Sequence, residues 1–97
     1  MSKEKIEFGD FQTPLELAEI ACERLVTLGV SPDVIIEPTC GVGAFVIASV
    51  NYFSSTKKVY GIDINSDYLD VLEGALCGHP RQNVVSIEHG DFFRYDW

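Results

Sequence analysis

Short β-branched runs alternate with stretches of helical periodicity along this chain, and that alternation limits its fold more than any other feature. The first helical stretch is announced by Thr13-Pro14, with Glu16 three residues after Thr13. A threonine N-cap, a proline at the first helical position and a capping-box glutamate together predict a helix start. Leu17, Ile20, Ala21, Leu25 and Leu28 follow at helical spacing and Gly29 stops them, so a helix is expected over 14–28. Val34-Ile35-Ile36 then reads as a buried strand. Ala44 to Tyr52 is apolar almost all round, as a helix wedged against a sheet would be. Val59 to Ile62 forms the second predicted strand and ends at Asp63. Ser66 is the expected cap of a third helix, which carries Tyr68, Leu69, Leu72, Ala75 and Leu76 on one stripe. Gly78-His79-Pro80 stops it, and Val84 to Ile87 is the third strand. Residues 1–12 read as irregular.

Helix, strand, helix, strand, helix, strand is the signature of right-handed crossovers and a parallel sheet with helices packed on it. The fold class is therefore α/β, and three strands make half of a doubly wound sheet. The chain's 97 residues leave room for one small domain. In such sheets ligands sit at the carboxyl ends of the strands. That rule selects three segments, 37–43, 63–64 and 90–92.

Charge and composition remove several alternatives. Seven Lys and Arg stand against 15 Asp and Glu, for a net charge of −8. A phosphate-gripping face needs clustered basic residues, so this stretch is not a nucleic-acid grip by itself. No apolar run approaches the ~18 residues of a membrane span, and no membrane partner is expected. The polar start, MSKEKIEFGD, lacks the apolar core of a signal peptide and suggests a cytoplasmic protein. Cys22, Cys40 and Cys77 form no CxxC pair, and His79 and His89 offer no metal-ligand spacing. No metal site is expected.

The three strand-end segments each carry a recognisable chemistry. Gly41 and Gly43 allow backbone to approach a ligand closely at a helix N-terminus. A dinucleotide loop would read G-x-G-x-x-G, but its third glycine position holds Val46. Glu37 at the strand end would repel a pyrophosphate and attract an ammonium group. Asp63, 20 residues after Gly43, is placed to accept from the two hydroxyls of a ribose. Asp91 can accept from the exocyclic amine of an adenine, and Phe92 can flank the ring. Ammonium, ribose and adenine together describe S-adenosylmethionine (SAM) laid across three strand ends.

These residues also carry a family resemblance. The chain resembles the N-terminal half of a SAM-dependent methyltransferase, and more narrowly the adenine-N6 DNA methyltransferases of restriction–modification systems. The family's F-x-T-P segment is matched by Phe11-Gln12-Thr13-Pro14. Its cofactor loop, [DE]-P-x-C-G-x-G-x-F, is matched by Glu37-Pro38-Thr39-Cys40-Gly41-Val42-Gly43-Ala44-Phe45. Asp63-Ile64 matches the acid of the second strand, and Asp91-Phe92 the D-F of the third. The resemblance implies a three-layer, Rossmann-like half-domain with SAM as cofactor. It makes Phe11, Thr13, Pro14, Glu37, Pro38, Thr39, Cys40, Gly41, Gly43, Phe45, Asp63, Ile64, Asp91 and Phe92 the cofactor-binding set. Thr13 is implied to reach the methionine carboxylate. The family's catalytic [DNS]-P-P-[FYW] element has no match here. Residues 1–97 are therefore expected to be the N-terminal part of such a domain, inactive alone, with DNA bound elsewhere in the longer protein.

Plainer readings stand beside these. Glu37 could be an ordinary surface acid, Asp63 a cap for the third helix, Asp91 a turn residue and Phe92 core. Cys40 has no histidine beside it and reads as a small buried loop residue; Cys22 and Cys77 read as helix packing, and the histidines as loop residues. A SAM methyltransferase of RNA or of protein glutamine shares the cofactor half, and a non-catalytic SAM-binding or interaction fragment is a different class. A dinucleotide oxidoreductase is opposed by Glu37 and Val46. A half-sheet with an open edge is also expected to self-associate.

Overall fold

The computed structural model describes residues 12–38, 40–91 and 94. Phe11, Thr39 and Phe92 of the expected site lie outside the described residues. The elements run α1 (Leu15–Thr27), β1 (Val34–Glu37), α2 (Ala44–Tyr52), β2 (Lys58–Asp63), α3 (Ser66–Leu76), a 3-10 turn (Gln82–Val84) and β3 (Val85–His89). The strands form one parallel sheet in the order β1-β2-β3. Ile35, Val59 and Val85 stand abreast across it, as do Glu37, Gly61 and Ile87.

Strands added in one direction by right-handed crossovers place their helices on one face. The packing agrees. Val46, Val50, Leu69, Leu72 and Leu76 of α2 and α3 are buried against Val59, with Ile35, Val85 and Ile87 at the margin. Val46, Val59 and Leu72 are wholly buried, and side chains of this size contribute about 1.5–3 kcal/mol each on leaving water. α1 lies on α2 through Ala18, Cys22, Ala48 and Phe53, and Ile35 touches this cluster too. All three helices therefore share the Ile35 face of the sheet. The described elements supply two of the three layers expected, one sheet and one bank of helices.

Several boundaries differ from the sequence expectation, each for a local reason. Pro14 occupies the N-cap of α1 in extended conformation (ψ 141°), and its carbonyl accepts from the amides of Leu17 and Ala18. Thr13 is one residue too early to cap, and no side-chain cap bond forms. Asn65 caps α3 in place of Ser66, its Oδ1 accepting from the Asp67 and Tyr68 amides at 3.0 and 3.4 Å. Val84 belongs to the 3-10 turn because its amide bonds back to the Arg81 carbonyl, so β3 begins at Val85. Cys77 is exposed at the C-cap of α3 rather than packed in it.

The far end of the fold is fastened by one arginine. The Arg81 guanidinium donates to the carbonyls of Val50, Phe53 and Thr56, with the first two at 3.0 and 2.8 Å. These include carbonyls that the end of α2 leaves unpaired. His79, expected to be idle, bonds Asn51 of α2 through Nε2 and accepts the Arg81 amide at Nδ1. Among the described residues no helix is long and apolar enough to cross a membrane.

Candidate cofactor site

The loops after β1, β2 and β3 emerge side by side because the three strands are parallel and in register. Asp63, the last residue of β2, ties them together. Its Oδ2 accepts from the Gly41 amide and its Oδ1 from the Asn65 amide, both at 2.8 Å. Its own carbonyl accepts from the Gly90 amide at 3.0 Å. Asp63 therefore touches all three segments that the strand-end rule selects. Each carboxylate oxygen has two lone pairs, so the described residues take one acceptor site on each. His89 closes the same edge, its Nε2 lying 2.9 Å from the Ile64 carbonyl. The Ile64 side chain itself is 71% exposed at this mouth.

The glycine loop takes its shape from two left-handed residues, Gly41 (φ 56°) and Gly43 (φ 92°). Side chains rarely adopt these angles. Both positions are also filled from the opposite side. A Cβ on Gly41 would overlap the Gln12 carboxamide, and one on Gly43 would overlap Leu72 of α3. Glycine here lets the loop seat against its own chain, which the sequence reading attributed to ligand approach alone. The amides of Gly41, Val42 and Gly43 are given to Asp63, Gln12 and the Cys40 carbonyl. None of the three is left to cradle a phosphate, which agrees with the missing third glycine.

Glu37 stands at the end of β1, half-buried. Burial raises its carboxyl above the ordinary value, because removing a carboxylate from water disfavours its charged form. Among the described residues it has no hydrogen-bond or ion-pair partner. Pro38 follows, also half-buried. Cys40 is 7% exposed. Its thiol is pushed up to about 12, first by burial and then by the charges of Asp63 and Glu37. Such a group is not a nucleophile at neutral pH. Cys22 is likewise raised by burial, and its thiol is paired with Ser49.

The remaining expected residues are placed unequally. Thr13 and Pro14 lead into α1, directly after Gln12, whose Oε1 accepts the Val42 amide at 3.1 Å. Phe45 packs against the α1–α2 cluster. Asp91 is exposed after β3, 3.9 Å from the Arg94 guanidinium. Gln12 and Asn65 are the residues that sequence reasoning missed. Asn65 carried a signal, since asparagine is among the strongest N-cap formers. Gln12 carried none.

Parallel strands in unbroken order, helices on the crossovers and acids at consecutive strand ends make this the fold of the Rossmann-like SAM methyltransferases. Solved structures agree. Methanocaldococcus jannaschii Trm5 in complex with adenosine matches 89% of this chain with 25% of its own, at 24% identity and a TM-score of 0.67. A SAM-dependent O-methyltransferase from Thermotoga maritima matches 90% of this chain with 33% of its own, at 19% identity and a TM-score of 0.63. No protein-family model matches the chain. In sequence it is 52% identical, over all 97 residues, to the Type II methyltransferase M.NspV of Nostoc sp. (strain ATCC 29411 / PCC 7524). The chain spans 20% of that relative's length.

Proposed function

We propose that this chain is the SAM-binding part of a DNA methyltransferase of the restriction–modification kind, directed at the N6 amine of adenine. Glu37 carries the reading. A half-buried carboxylate with no cation beside it among the described residues, next to a loop whose amides turn inward, favours a ligand that brings its own positive charge. The ammonium of SAM has that charge. Asp63 would take the ribose hydroxyls on its remaining lone pairs. Asp91 would accept from the adenine amine, with Ile64 and Phe92 beside the ring, and Thr13 would reach the methionine carboxylate. Bound SAM would supply the methyl group. The DNA substrate is supported by the likeness to a Type II methyltransferase, and the adenine-N6 target by the E-P-T-C-G-V-G-A-F loop. With a net charge of −8, this chain would leave DNA contact to other parts of the protein. A cytoplasmic location fits the same reading.

Titration calorimetry with SAM and with its demethylated product, S-adenosylhomocysteine, tests the reading. The folded chain should bind both. Glu37→Gln should weaken binding by about tenfold or more, as expected when a charge-assisted hydrogen bond is lost. No heat with either ligand on folded protein would remove the proposal.

A further inference from the structure

The glycine loop is gripped from two sides, and only one of them belongs to the sheet. Asp63 holds the Gly41 amide from β2. On the other side Gln12 Oε1 accepts the Val42 amide, from 30 residues upstream. The Gln12 carboxamide also fills the space that Gly41 leaves by having no side chain. One uncharged side chain thus fixes both the path of the loop and the seat of the segment that leads into α1.

We propose that Gln12 is a positioning residue for the cofactor site. It acts through the loop and touches no ligand. By holding the Val42 amide it keeps Gly41 and Gly43 in their left-handed turns, with Glu37 at the mouth. It also couples the placement of residues 12–14 to the shape of the loop. Ligand affinity then depends on a residue that offers the ligand nothing. The opposite role, a plug that a ligand must push aside, would reverse the sign of every effect on binding. The proposal rests on the SAM-binding reading of this mouth.

The test uses the 97-residue chain with two readouts, amide hydrogen exchange at Val42 and S-adenosylhomocysteine affinity. Gln12→Leu keeps the bulk and removes the acceptor; Gln12→Asn shortens the arm; Gln12→Glu keeps the acceptor and the reach. In Gln12→Leu and Gln12→Asn the Val42 amide should exchange about fivefold faster and the Kd should rise about fivefold, the effect of one net hydrogen bond. The Gly41 amide, held by Asp63, should change less. Gln12→Glu should restore Val42 protection. A merely structural loss would move both amides and the melting temperature together, without rescue. Unchanged Val42 protection in Gln12→Leu overturns the proposal, as does unchanged or tighter binding. Should the unaltered chain bind no S-adenosylhomocysteine, the functional reading fails separately, and Gln12 as a determinant of ligand affinity falls with it. Val42 exchange then still shows whether the grip on the loop exists.

Discussion

Glu37 sits half out of water without a cation beside it among the described residues, and that should be measurable as instability. Its folded carboxyl is raised above the ordinary value of 4.5 by burial. A raised acid favours folding while protonated, so its contribution is complete below the unfolded value and is lost as pH rises through the folded one. Glu37→Gln should therefore melt higher than the unaltered chain at pH 7–8, and thermal denaturation should show the gap closing as pH falls through the raised folded value, with none left below about 4.5. On the proposed reading the same substitution should weaken SAM binding, so one residue would trade stability for a ligand. Thiol chemistry gives a second check at this scale. Cys40 and Cys22 are buried with raised thiols while Cys77 is exposed, so a disulfide reagent at pH 8 should titrate one of three cysteines rapidly. The place of Glu37 at a strand end and the burial of Cys40 were legible in the sequence. Gln12 was not legible, because its meaning lies in an amide 30 positions away. Asp63 was legible by half. Its place was read, but its grip on two loop amides needed coordinates.

Element by element, the strands were easiest to read, since their β-branched runs have no helical face to confuse them. Helix ends were harder. Thr13 and Ser66 both have the chemistry of a cap, yet each has a neighbour that takes the position, and one residue of slip is set by backbone angles rather than by composition. Arg81 was unreadable for another reason: it serves α2, a helix that ended nearly thirty residues earlier. Removing it takes the guanidinium from the carbonyls of Val50, Phe53 and Thr56, of which Phe53 keeps the Thr56 amide as a donor. Arg81→Ala should lower the unfolding free energy by about 2 kcal/mol in urea titration. Arg81→Lys should recover only part of that, because an ammonium cannot present a planar fork to three acceptors.

For the molecule as a whole, every described helix lies on one face, and on the other face Ile62 is wholly buried while the β1 side chains stand in water. Val34 and Ile36 of β1 are 52% and 45% exposed there, on a strand whose outer edge has no partner among the described residues. Open apolar edges invite association. Sedimentation of the 97-residue chain should show mass rising with concentration, and Ile36→Lys should shift it back towards the monomer. The acidic surface opposes that association at low salt, so added salt should promote it. At the mouth, the three bonds made by Asp63 have a mechanical result. The amides of Gly41, Asn65 and Gly90 all end on one residue, so displacing Asp63 would release all three together. A rim opened through Asp63 would move as a single collar, and its three amides should then exchange with one shared opening free energy. A ligand held by any one loop would then quiet all three.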